Sequence, residues 1–167
     1  MGPSGASWRV SALELRDVRS WHRASLVLGP GVTVLTGHNG AGKTSLVEAV
    51  VLAAVGASPR TNQLGDVVAH GAPAFHVHAA LTRPDGATAV RDIGYQPRVG
   101  RRLAADGVPA ARLMAWRLPG SVLVFVPEEL RAVKGPPAAR RRGLDRVLEA
   151  VVPGFTQALA DYAAALA

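Results

Sequence analysis

Apolar and polar positions alternate with period two in several short stretches of this chain and repeat near every third or fourth residue in others. Leu13 and Leu15 alternate with Glu14 and Arg16, and Leu26 and Leu28 with Ser25 and Val27, which predicts two half-buried strands. After the turn signal Gly29-Pro30-Gly31, Val32-Thr-Val-Leu-Thr36 reads as a short buried strand ending at Gly37. Thr44 to Val55 is almost wholly apolar with Glu48 its one charge, which predicts a helix buried on most sides and stopped by Gly56. Phe75, Val77, Ala79 and Leu81 alternate with His76, His78, Ala80 and Thr82; Pro84-Asp85-Gly86 then turns the chain into a returning strand over Ala87–Ile93. A further strand over Arg98–Leu103, a turn at Asp106-Gly107, a short helix over Pro109–Trp116 and a central strand over Val122–Val126 follow. Beyond Pro136-Pro137 the period becomes helical, with Leu144, Val147, Leu148 and Val151 on one stripe and Phe155, Leu159, Tyr162 and Leu166 on the next.

Between the third strand and the long helix lies Gly37-His38-Asn39-Gly40-Ala41-Gly42-Lys43-Thr44, which matches G-x-x-x-x-G-K-[ST] at every fixed position. Glycines let such a loop fold around phosphates without Cβ clashes, and its N–H groups and the helix start face the anion. Lys43 is the candidate contact to the β- and γ-phosphates of ATP, Thr44 the candidate magnesium ligand, and Ser45 the last residue of the cofactor-binding stretch. Hydrolysis needs, in addition, an acid at the end of a neighbouring strand. Val122–Val126 followed by Pro127-Glu128-Glu129 resembles such a strand, but the intervening proline fits better as the first residue of a helix with acids in its first turn.

Composition narrows the picture modestly. At 167 residues with 49% hydrophobic and 19% charged positions, the chain is long enough for one ordinary core. No apolar run approaches the roughly 18 residues that span a bilayer, and no secretory signal is visible at the start. The absence of cysteine fits a cytoplasmic protein. The net charge of +7 comes almost entirely from arginine, and favours an anionic partner such as nucleic acid, or reflects an arginine-rich genome.

Several separate stretches resemble one family. Leu13-Glu-Leu-Arg-Asp-Val-Arg-Ser-Trp21, Gly29-Pro-Gly-Val-Thr-Val34, the phosphate loop with Leu46-Val-Glu-Ala-Val50, and Gly56-Ala-Ser-Pro-Arg-Thr61 are similar to the opening of the RecF family of DNA replication and repair ATPases. Val124-Phe-Val-Pro-Glu-Glu-Leu130 and Lys134-Gly-Pro-Pro-Ala-Ala-Arg-Arg-Arg-Gly-Leu-Asp145 resemble two further segments in the right order. Gly143, Ser45 and Asp106 depart mildly from the family pattern. Family members continue well past this length, with a signature motif and a Walker B acid in their later part, so the chain resembles an N-terminal part. The resemblance implies an α/β P-loop fold like the ABC ATPase head: a mixed sheet around the loop over residues 1–135, then the start of a helical subdomain over 136–167. It also implies an ATP-dependent homodimer on DNA, RecO- and RecR-type mediators, and a role in recombinational gap repair and the SOS response. Two alternatives stay open: another ABC-head ATPase with a different client, and a nucleotide-binding remnant that does not hydrolyse.

The basic run Arg140, Arg141 and Arg142, with Arg146 a turn on, suits DNA phosphates and suits equally the solvated face of an amphipathic helix. Arg60, in the loop after the long helix, is a further DNA candidate against a reading as plain surface. His76 and His78 share a strand face with His70 nearby, but no acid is spaced in sequence to complete a metal site. Trp8, Trp21 and Trp116 are too scattered to suggest a base-stacking platform.

Overall fold

The computed structural model describes residues 8–118 continuously, scattered positions between 122 and 152, and residues 154–165. Six strands form one sheet: β1 (Arg9–Val18), β2 (Trp21–Val27), β3 (Phe75–Thr82), β4 (Thr88–Gln96), β5 (Gly100–Ala105) and β6 (Val108–Pro109). Their order is β2-β1-β3-β4-β5-β6, and every pairing among the described residues is antiparallel. The alternation read from sequence sets the faces. Leu13, Leu15, Phe75, Val77, Ile93 and Leu103 point to one side and are buried, while Glu14, Arg16, His76 and Arg102 point to solvent.

Helix α1 (Lys43–Val55) lies on the apolar side, and Leu46, Ala49, Leu52 and Ala53 complete the core against the sheet. Its end is set by Gly56, which takes the left-handed conformation at φ 72° and returns its N–H to the Leu52 carbonyl. A Cβ there would also come within 2.4 Å of Leu113 Cδ1 and 3.1 Å of the Trp116 ring, so that Leu113 would have to move as well. The helix expected over Pro109–Trp116 is a single turn, α2 (Leu113–Trp116). Trp116 is fully buried, and its indole N–H donates to the carbonyls of Asp92 and Ala104. The buried Arg91 guanidinium donates to the Trp116 carbonyl at 2.6 Å, clamping α2 to the sheet.

One expectation is overturned. Val32–Thr36 does not join the sheet: residues 32–38 form no ladder, and Val32 and Val34 are 93% and 74% exposed. An extended segment needs a lateral neighbour to satisfy its N–H and C=O groups, and none of the described strands runs beside it. Only Leu35 packs against the core.

The chain divides into two compact units, Met1–Gly120 and Ser121–Ala167. In the second unit α3 (Phe155–Ala165) follows Gly154, with Phe155 and Leu159 half-buried and Tyr162 exposed. Leu144, Asp145 and Leu148 are helical, as the 3.6-residue period predicts. Most of Val122–Val126 and all of Pro127-Glu128-Glu129 lie outside the described residues. Among the described residues no helix is long and apolar enough to cross a membrane.

Candidate functional site

Residues 37–42 arch over the start of α1. Gly37, Gly40 and Gly42 all take positive φ, at 147°, 82° and 85°, values that side chains with a Cβ rarely tolerate. Ala41 closes a turn by donating its N–H to the His38 carbonyl. Gly37, His38, Asn39, Gly40 and Ala41 are exposed, so the loop is open to solvent. Lys43 folds back, its Nζ donating to the Gly37 and His38 carbonyls at 2.7 and 2.8 Å. The ammonium is thereby held against the first two carbonyls of the loop.

The first intrahelical bond of α1 runs from Leu46 N–H to the Gly42 carbonyl. The N–H groups of Lys43, Thr44 and Ser45 have no carbonyl four residues back within the helix and form its positive end. Thr44 is exposed beside them, whereas the Ser45 side chain is buried. Ser45 therefore offers an incoming anion its N–H rather than its hydroxyl. Together these groups form a cradle for a phosphate chain, with one hydroxyl placed for a cation.

Sequence reasoning missed two supports of this cradle. Trp21, at the β1–β2 turn, donates its indole N–H to the Gly42 carbonyl at 3.0 Å. A Cβ on Gly42 would meet that nitrogen at 2.4 Å and Ser20 Oγ at 2.7 Å. The turn is seated against the loop and fills the space beside it. The second support is Glu48, whose side chain is fully buried. Arg19 grips both its oxygens at 2.9 and 2.8 Å, Arg60 reaches it at 3.2 Å, and the Ser58 hydroxyl donates to it. Burial pushes this carboxyl up, but the bonds from Arg19 and Ser58 and the charges of Arg19 and Arg60 outweigh it and hold it below the usual range. The bond to Glu48 raises the Arg19 guanidinium correspondingly. The helix behind the phosphate loop is thus bolted to the β1–β2 turn and to the loop at 58–60. The only sequence signal was a lone acid in an apolar helix, which must find a cation.

The other candidate residues fall into different places. Arg60 is partly spent on Glu48, with its side chain 40% exposed. Arg141 is an exposed helical position, and Arg140 and Arg142 lie outside the described residues. His76 and His78 do have an acid: Asp92 of β4 accepts from His78 Nδ1 at 2.9 Å and lies 3.2 Å from His76 Nε2. The expectation that no acid stands by is therefore corrected by the β3–β4 register, which pairs His78 with Asp92. No cluster of three or more potential ligands is placed to hold a metal among the described residues.

Comparison with known proteins agrees with this architecture. The family model described as an AAA domain matches residues 12–89. "DNA replication and repair protein RecF" of Nocardioides sp. is 42% identical over 92% of this chain and 36% of its own length. The same-named protein of Frankia alni is 41% identical over 90% of this chain and 39% of its own length. The chain thus spans little more than a third of the length of these curated relatives. Among solved structures, "Structure of the recombination mediator protein RecF-ATP in RecFOR pathway" superposes with a TM-score of 0.78 at 22% identity, over 94% of this chain and 43% of that one. A chain from "Structural biochemistry of ATP-driven dimerization and DNA stimulated activation of SMC ATPases" gives 0.66 at 21% identity, over 83% of this chain and 98% of that one. The fold is that of an ABC-type ATPase head.

Proposed function

Since the chain matches the N-terminal part of RecF-family proteins over nearly all of its length, we propose that it is an ATP-binding part of a DNA replication and repair protein. The observation that carries this reading is the open arch of Gly37–Gly42 over the N-terminus of α1, with the Lys43 ammonium against its first two carbonyls. Phosphates displace the two carbonyls that Lys43 now contacts, and the N–H groups of the loop and of Lys43, Thr44 and Ser45 receive them. Thr44 supplies a hydroxyl to magnesium. A solved relative is named with ATP, and an SMC relative with ATP-driven dimerisation and DNA. ATP with magnesium, an ATP-dependent homodimer, DNA, and RecO- and RecR-type mediators are accordingly the proposed ligand and partners. Gap repair, the SOS response and a cytoplasmic location belong to the same reading.

Turnover is a separate matter. The one acid of α1, Glu48, is saturated by Arg19, Arg60 and Ser58. It is not offered to magnesium or to water. Calorimetry tests the binding claim. Lys43→Ala removes a charge-assisted contact of about 1.5–3 kcal/mol, and should weaken ATP by roughly ten- to a hundred-fold. Equal affinities in wild type and variant would remove Lys43 from the site.

A further inference from the structure

The face of the sheet opposite α1 carries an ordered row of charge. Arg23, Arg16, His76, Gly94 and Arg102 stand in direct cross-strand register on β2, β1, β3, β4 and β5. Four interstrand steps of about 4.8 Å make the row about 19 Å long. Arg16, Arg23 and Arg102 are exposed, and among the described residues none enters an ion pair or donates a side-chain hydrogen bond. Like charges directly opposite each other destabilise a sheet. Arg16 and Arg23 stand in that relation with no acid bound to either.

The neighbouring row is Ser25, Glu14, His78, Asp92 and Ala104. Its Asp92 is taken up by His76 and His78, which leaves Glu14 as the one uncommitted acid in the two rows, next to Arg16 and Arg23. A hollow of about 550 Å³ lies between the rows, lined by Glu14, Arg16, Arg23, Ser25, His76 and His78. Two residues further along β1 and β2, Val18 pairs with Trp21, whose indole holds the phosphate loop at Gly42. The arginine row therefore lies on the phosphate-loop side of the acids.

We infer that this row is a docking surface for the sugar-phosphate backbone of duplex nucleic acid. The inference rests on the nucleic-acid reading above and gives it a surface other than the run at Arg140–Arg142. A straight row, rather than a cluster, suits a linear polyanion, and a duplex presents one charge per roughly 1.7 Å of axis to such a row. Guanidinium forks match phosphate geometry. Neither row contains Phe, Tyr or Trp, so no platform stacks the bases of a single strand. Contacts of this kind position a duplex without reading its sequence.

The test is anisotropy of a labelled duplex titrated with the full chain across a salt series, for wild type and two triple variants. Arg16→Ala/Arg23→Ala/Arg102→Ala should flatten the slope of log affinity against log salt by about 2.7, three contacts at about 0.9 each. Arg16→Lys/Arg23→Lys/Arg102→Lys keeps the charges and should keep most of the slope. Both variants should melt no lower than wild type, because the three side chains have no partners among the described residues. A wild type that fails to bind the duplex even at low salt would overturn the nucleic-acid reading and this inference together. A wild type that binds, with an unchanged slope in the Ala variant, would overturn this inference alone. Binding of the row to anionic vesicles but not to the duplex would assign it to a lipid surface and overturn it as well.

Discussion

On the two sides of the phosphate loop, stretches of similar apolar content behave in opposite ways. Before the loop, Val32 and Val34 stand 93% and 74% exposed; after it, Leu52, Ala49 and Ala53 are completely buried. A helix closes its own backbone hydrogen bonds and needs only a surface for its apolar stripe. The sheet's inner face provides that surface for α1. An extended segment must borrow its hydrogen bonds from a neighbour, and apolar side chains do not supply them. Residues 37–42 hang between these two regimes, anchored firmly on the helix side by Gly42, Trp21 and Glu48.

The comparison predicts a steep gradient of mutational cost across the loop. Its largest effect belongs to Glu48→Ala, which leaves Arg19 without its buried partner and should destabilise the fold by about 3–5 kcal/mol in chemical denaturation. The same bolt has a pH signature. The Glu48 carboxyl is held below its ordinary value in the folded chain, so its contribution is fully present above the unfolded pKa of about 4.3 and is lost as pH falls through the lower folded value. Wild type should therefore lose stability below about pH 4.3 more steeply than Glu48→Gln does. A parallel pair of acid-denaturation curves would disprove that role.

Leu52→Ala comes next. It opens a cavity at a position with no exposure and should cost about 2–5 kcal/mol by the same measurement. Smallest is Val34→Ala on the other flank, which should stay within about 0.5 kcal/mol because nothing packs on an exposed side chain. A cost for Val34→Ala close to that of Leu52→Ala would show that the segment before the loop is buried after all.

What was legible in the sequence follows the same division. The strands around Leu13 and over Phe75–Thr82, the Pro84-Asp85-Gly86 turn and α1 with its Gly56 stop are local patterns, and each is found where the sequence places it, while the second strand begins earlier, at Trp21, and ends at Val27. The failures concern relations between distant segments. Val32–Thr36 reads as a strand by composition, but being a strand depends on a neighbour. Glu48 draws its partners from residues 19, 58 and 60, which no spacing rule connects. Asp92 reaches His76 and His78 only through the β3–β4 register. The row of arginines on β2, β1 and β5 is likewise invisible until the strands are ordered.

The central claim is that the N–H groups of the arch and of the first turn of α1 receive the phosphates of ATP. Residue-resolved amide hydrogen exchange with and without ATP and magnesium measures this directly. Exchange should slow at Gly40, Gly42, Lys43, Thr44 and Ser45, remain fast at 32–36, and return to its unliganded rate in Lys43→Ala at the same nucleotide concentration. Unchanged exchange across Gly37–Ser45 at saturating ATP, or equal protection in Lys43→Ala, would contradict it.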